Sequence, residues 1–297
     1  MIRRPASHFT IVFQALFVTF LWSTSFIIIK IGLKDLSPLL FAGMRYFLAF
    51  IILFPFLFNG KNLGNLKKVN KADWYKLLVL GFLFYTITQA AQFIGLSLLP
   101  SVTVSIILNF TPLFVAIAAI LFLNEIPTAL QWVGVILFIM GVFVYFYPLK
   151  FSGGYLSGIL IMLLGVLANA LSSILGRSVN REAKLEPVVI TVISMGFGSI
   201  ILFIISLIVE GLPDLSLISL IYIIWLAAVN TAFAFNLWNL TLRSLTAVES
   251  SIINGTMLIQ IAFLAWIFLG ENLTFGKICG MIITSLGAFL VQAKKRF

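Results

Sequence analysis

Apolar residues in this chain run in long unbroken stretches separated by short polar breaks, with no strict alternation along any of them. Continuous runs of about 20 apolar residues match the thickness of a bilayer core when wound as helix. Transmembrane β-strands would alternate instead. The runs predict ten helices, at 9–29, 39–58, 74–97, 101–123, 129–147, 154–176, 187–209, 217–241, 247–269 and 275–293. Turn and breaker residues mark many of the gaps, among them Ser37-Pro38, Asn59-Gly60, Leu99-Pro100, Pro148 and Gly270. The expected fold is all-α: a polytopic membrane protein of ten transmembrane helices with short loops.

Composition agrees, since 62% of the 297 residues are hydrophobic and 9% are charged. A soluble domain of this size needs more charge to cover its surface. The net charge of +10 forms no basic face that would suit nucleic acid; it sits between the apolar runs. With the N-terminus in the cytoplasm, fourteen Lys and Arg fall on the inner side and four on the outer side. That bias obeys the positive-inside rule and places both termini in the cytoplasm of a plasma-membrane protein. Arg3 and Arg4 precede a run too long for a signal-peptide core, which reads as a retained first helix. Cys279, the single cysteine, lies inside the last run.

Sliding the chain by 146 residues aligns 96–144 with 242–290 without a gap and gives 16 identities in 49 positions. They include Ser105/Ser251, Glu125/Glu271, Thr128/Thr274, Gly134/Gly280 and Gly141/Gly287. Two units follow, 1–148 and 149–297, each of five helices. An odd number of crossings sends the second copy into the membrane upside down. Inverted repeats of this kind are the architecture of alternating-access carriers, with the substrate held between the halves near the midplane.

Several stretches resemble the drug/metabolite transporter superfamily, in its EamA-type branch. They are Leu21-Trp22-Ser23-Thr24-Ser25-Phe26 with Lys30, Ser37-Pro38 followed by Met44-Arg45-Tyr46-Phe47, and Asn109-Phe110-Thr111-Pro112. Asn124-Glu125 leading to Gly134 and Gly141, and Gly270-Glu271-Asn272-Leu273-Thr274 leading to Gly280 and Gly287, complete the set. Leu258 departs from the pattern, standing where the family has a proline matching Pro112. A weaker bend in the ninth helix, or one made by Asn254-Gly255, is expected. The resemblance implies secondary transport of metabolites, often export of amino acids or related compounds.

Polar groups inside lipid-embedded helices point at cavities or at polar partners. Tyr85, Gln89 and Gln92 fall at i, i+4 and i+7 on one face of the third helix. Asn230 and Thr231 lie deep in the eighth, its repeat partner. Trp22 and Ser25 in the first helix correspond roughly to Asn169 and Ser172 in the sixth. Asn109 and Asn254 sit near the expected bends. These residues, with Trp22 able to stack on an apolar substrate, form the candidate substrate site; interhelical hydrogen bonding is the competing use. Arg45, about seven residues inside the second helix, either meets a substrate anion or gate partner, or snorkels to the outer headgroups or pairs with helix carbonyls to lock two helices. Glu125 and Glu271 read as caps on the helices that follow them or as gate latches. Glu249 completes a capping box with Thr246. The glycine pairs permit close helix contact, within the fold or at a homodimer interface through those helices.

The expected function is a secondary transporter of a small metabolite, amino acids foremost, working as an exporter. A carrier of sugars, nucleotide derivatives or organic anions is the alternative. A lipid-modifying enzyme would need clustered Asp, Glu or His, whereas the acids here are scattered and His8 is the one histidine. Neither metal nor cofactor is expected, and with no Walker loop ATP is not the direct driver.

Overall fold

The computed structural model describes residues 8–58, 62, 69–115, 117, 128–147, 153–181, 185–212, 215–242, 245 and 247–292. Among these the secondary structure is entirely helical. Helix α1 is His8–Gly32 and α2 is Pro38–Leu53, extended by a 3₁₀ turn over Phe54–Phe58. Helix α3 comprises Lys71–Gly81, a π-helical segment Phe82–Thr88, and Gln89–Leu98. Helix α4 begins as Ser101–Leu108. Then come α5 Ala129–Phe146, α6 Gly153–Arg181 and α7 Pro187–Glu210. Helix α8 comprises Leu217–Ala227, a second π-helical segment Ala228–Phe233, and Ala234–Leu242. Helices α9 Ala247–Leu269 and α10 Phe275–Gln292 complete the described chain.

Seven of these helices are long and apolar enough to cross a membrane, and the shorter apolar helices lie at 101–115, 253–269 and 275–291. Large apolar side chains such as Phe9, Phe143, Leu164, Ile208 and Phe268 cover the outside. A surface of that kind needs lipid, so the protein is a multi-pass membrane protein.

Glycines set the closest helix contacts, because lipid supplies no hydrophobic drive between helices and close backbone packing must do so instead. Along the α5–α10 contact, Gly134 lies against Gly287 and Gly141 against Gly280, so the two helices run antiparallel. A Cβ added at Gly141 would sit 2.4 Å from the Thr284 backbone nitrogen, and one at Gly287 would sit 2.3 Å from that of Phe138. All four glycines are thus used in contacts inside the chain. In α2–α7, Gly43 abuts the Phe203 backbone and Gly196 the Phe50 ring, while Phe47 and Phe203 stack with centroids 5.1 Å apart. Helix α3 packs on α6 and α7, and α8 packs in the corresponding way on α1 and α2.

The helices α4 and α9 differ. A turn at Asn109-Phe110 interrupts α4 just ahead of Pro112, whose ring nitrogen has no hydrogen to give the preceding turn. Helix α9 runs without interruption through Asn254, Gly255 and Leu258. The helix is therefore not interrupted at Asn254-Gly255: glycine alone does not break a helix that keeps every N–H, and Leu258 supplies one.

Candidate functional site

Two features converge on one region of the bundle. The π-helical segments of α3 and α8 start at Phe82 and Ala228, 146 residues apart, the same offset as the sequence repeat. Such bulges widen the helix by one residue and free backbone groups for other partners. In α3, Thr86 Oγ1 donates to Gly198 O of α7 at 2.8 Å and Thr88 Oγ1 to Gly165 O of α6 at 3.3 Å. In α8, Thr231 meets Arg45 of α2, and Asn230 Nδ2 donates to Leu21 O and, at 3.1 Å, to Thr24 Oγ1 of α1. Each bulge thus engages two helices of the opposite half.

Arg45 is 3% exposed. Its partners are a hydroxyl and two rings: Nε donates to Thr231 Oγ1 at 2.9 Å, and the guanidinium carbon lies 5.0 Å from the Tyr46 centroid and 6.0 Å from that of Phe93. Thr231 in turn donates to Leu226 O. A buried charge held between rings and a hydroxyl fastens α2 to α8, rather than reaching up to headgroups.

Tyr46 joins the predicted face of α3. Its hydroxyl donates to Gln89 Oε1 at 2.6 Å, and its ring lies 5.7 Å from that of Tyr85. Gln92, half-buried, lies one turn farther along. An i, i+4, i+7 face holds for a regular α-helix, and the π segment changes that register between Tyr85 and Gln89. Tyr46, absent from the sequence-derived set, is what brings the two together.

Rings extend the cluster into the other half. Trp22 lies 5.3 Å from both Phe235 and Trp238 of α8, and Phe235 lies 6.3 Å from Phe84, which contacts Tyr85 at 4.9 Å. Two buried atoms here have no hydrogen-bond partner: the indole Nε1 of Trp22, a donor, and Oδ1 of Asn230, an acceptor. Leaving such groups unpaired is costly, and binding sites are where that cost is offset by a ligand.

Other predicted residues fall around this cluster or outside it. Ser25 is buried on α1. Asn109 Nδ2 donates to Ser105 O of its own helix, and Asn169 Nδ2 donates to Thr111 Oγ1 across α6 and α4. Asn254 is exposed and stands apart from the cluster. Gln260 was missed: it accepts from Ser23 Oγ at 2.9 Å and donates to Thr256 Oγ1 at 3.0 Å, tying α9 to α1. Glu125 and Thr246 lie outside the described residues, as does the side chain of Glu249.

Glu271 does cap a helix, but not the one that follows it. Its carboxylate oxygens accept from the backbone N–H groups of Ser101 at 2.6 Å and Val102 at 3.2 Å, the first turn of α4. Lys30, named in the sequence but given no role, donates to Leu96 O at 2.5 Å and Leu99 O at 2.8 Å, at the end of α3. Glu210, also missed, accepts from Leu39 N at 3.2 Å and Leu40 N at 2.8 Å at the start of α2.

A model of the EamA-like transporter family matches the chain twice, over residues 9–147 and 156–293. The chain belongs to the EamA-like transporter family. A transporter of Archaeoglobus fulgidus is 28% identical over 289 residues, covering 95% of this chain and 98% of that protein. A protein of Chlamydia trachomatis serovar L2 named as an S-adenosylmethionine/S-adenosylhomocysteine transporter is 28% identical over 290 residues, covering 92% and 86%. One crystal structure superposes with a TM-score of 0.65 over 95% of this chain and 97% of its own, at 14% identity, which speaks to the fold alone. The family name and these relatives make the chain a membrane transporter of the drug/metabolite superfamily.

Proposed function

We propose that this EamA-type transporter moves small metabolites, amino acids and their derivatives foremost, as an exporter working by alternating access. The working unit in this reading is ten transmembrane helices in two inverted five-helix repeats, 1–148 and 149–297. Support comes from the antiparallel α5–α10 contact, in which each glycine faces the repeat mate of its counterpart's partner, and from the equal spacing of the two π segments. Both are what a two-fold axis in the membrane plane would produce.

The single observation that carries the substrate reading is the cluster of Trp22, Tyr46, Tyr85, Gln89, Asn230 and Thr231, where helices of both halves meet. Amides and hydroxyls that both donate and accept suit a zwitterionic or amide-bearing head. The surrounding rings suit an apolar or planar body. Among the described residues no carboxylate enters this cluster, which disfavours simple cations. A second reading, a carrier of nucleotide derivatives, draws support from relatives named for S-adenosylmethionine and S-adenosylhomocysteine. Those compounds are amino acids that carry a nucleoside, so the two readings overlap.

Topology follows the fourteen-to-four bias of Lys and Arg: both termini in the cytoplasm of a plasma-membrane protein. The end of the bundle bearing Lys30, the α3–α4 turn and Glu271 then faces outward. The test is flux from proteoliposomes loaded with a panel of radiolabelled amino acids, nucleosides and adenosyl amino acids. Saturable efflux of one class, competed within that class, is expected. Saturable movement of sugars alone would overturn the reading.

A further inference from the structure

We propose that Lys30 and Glu271 fasten the outward-facing end of the transporter shut by capping the two helix ends at the α3–α4 turn; this rests on the alternating-access reading above. Helix α3 ends at Leu98 and α4 begins at Ser101, with only Leu99 and Pro100 between them. The last carbonyls of α3 and the first N–H groups of α4 have no partners within their own helices. Both sets are met by charge. The ammonium of Lys30 takes the carbonyls of Leu96 and Leu99, and the carboxylate of Glu271 takes the N–H groups of Ser101 and Val102. Each charge also has the sign that the local helix dipole favours, positive at a C-terminus and negative at an N-terminus.

What makes this a fastener rather than an ordinary cap is where the two charges come from. Lys30 stands on α1, and Glu271 follows α9; those helices pack together through Gln260, Ser23 and Thr19. Helix α3 belongs to a different packed unit. It lies against α6, where a Cβ at Gly165 would sit 2.5 Å from Ala91 Cβ and one at Gly158 would sit 2.8 Å from Leu99 Cγ. The two Lys30 bonds bridge the α1–α9 unit and the α3–α6 unit at one end of the bundle, and the Glu271 pair holds the start of α4, whose Val102 and Ile106 pack against Leu258, Ala262 and Ala265 of α9, where it turns out of α3. Rocking those units apart there must break the Lys30 bonds and pull the two-residue α3–α4 turn against the Glu271 pair, and bonds to ionised groups are the strong kind.

A second layer lies just inside. Thr103 Oγ1 is 3.1 Å from the Tyr145 hydroxyl and 3.2 Å from that of Tyr155, joining α4 to the end of α5 and the start of α6. Glu210 shows the contrast. It caps α2 from α7, but those two helices are already interlocked by glycines and stacked rings along their length. Its bonds brace one unit and cross no moving boundary.

The experiment uses the full-length chain in a Cys279→Ser background, with Ser105→Cys as reporter, because Ser105 is buried on α4 one turn inside the capped end. Right-side-out vesicles are treated with a membrane-impermeant maleimide. Glu271→Gln and Lys30→Gln should each raise the labelling rate by about tenfold, since each removes a pair of charge-assisted bonds, while Glu210→Gln should leave it unchanged. If Glu271→Gln fails to yield monodisperse protein, Lys30→Gln carries the test alone. Labelling that stays at the parent rate when the charge is removed, or that rises equally in Glu210→Gln, overturns the fastener. Wild-type flux is measured in parallel: flux with unchanged labelling sinks the fastener only. Raised labelling with no sided flux for any substrate sinks the transport reading only.

Discussion

Arg45 of α2 donates through Nε to Thr231 Oγ1 of α8 at 2.9 Å, a bond between the two halves of the chain and between residues 186 positions apart. The cation is buried, so its acceptor matters more than an exposed one would. Thr231→Val keeps the shape and removes that acceptor. It should lower stability by about 1–3 kcal/mol, read as a fall in Tm by fluorescence-detected size-exclusion after heating. Thr231→Ser should stay close to the parent. Equal Tm for the valine and serine variants would refute the assignment of Thr231 as the partner that fastens Arg45.

Trp22 offers a way to separate binding from packing. Its indole N–H is buried and unpaired, so Trp22→Phe removes an unsatisfied donor and should leave Tm unchanged or slightly higher. If substrate supplies the missing acceptor, the same change should raise KM by about tenfold with little effect on Tm, as expected for loss of one good hydrogen bond. Unchanged KM would return Trp22 to a packing role against Phe235 and Trp238.

The glycines of α5 and α10 should behave very unevenly. Gly141→Val places a side chain 2.4 Å from backbone at Thr284 and should abolish monodisperse protein. Gly276 is on the partner helix α10, yet nothing lies within 4 Å of an added Cβ. Gly276→Ala should change stability by no more than about 1 kcal/mol, the helix-propensity difference itself. Tolerance of both substitutions would contradict the close antiparallel contact.

Transport should not depend on a proton gradient. The cluster joining the halves holds Arg45 as its charge, and arginine keeps its proton at accessible pH. No described carboxylate or histidine enters it. Efflux at fixed mean pH should change little when a pH gradient is imposed or collapsed. Uphill movement driven by that gradient would put the carrier of the proton outside this cluster, with Glu249 the first candidate for replacement by Gln.

The helix pattern was readable because bilayer thickness imposes length and hydropathy on each crossing; the predicted and observed limits of α7 and α9 differ by a residue or none, as do those of α2 once its 3₁₀ turn to Phe58 is counted. The π segments were not readable. Phe82–Thr88 and Ala228–Phe233 have no composition that separates them from α-helix, and the extra residue in the turn is dictated by partners on distant helices. Glu271 shows the same limit at a helix end. Chain proximity suggested α10 as its target, but its oxygens bond α4, 170 residues earlier. Gln260 escaped notice because Thr19, Ser23 and Thr256 read as small packing residues until helices α1 and α9 are set side by side. Asn254 was singled out for its amide, although only the rotation of α9, fixed by its neighbours, decides which way that amide points.

Pro112 interrupts α4, whereas Leu258, at the matching place in the second half, leaves α9 whole. The two halves therefore differ in stiffness, one jointed and one a single rod. A carrier built on mirrored but mechanically unequal arms has unequal barriers for its two reorientations. Loaded from the cytoplasmic face it should half-saturate at a different concentration than when loaded from the opposite face, with the maximal rates unequal in the same proportion, so that net flux still vanishes when the two sides are equal. Equal half-saturation from both faces would mean that the joint carries none of the motion.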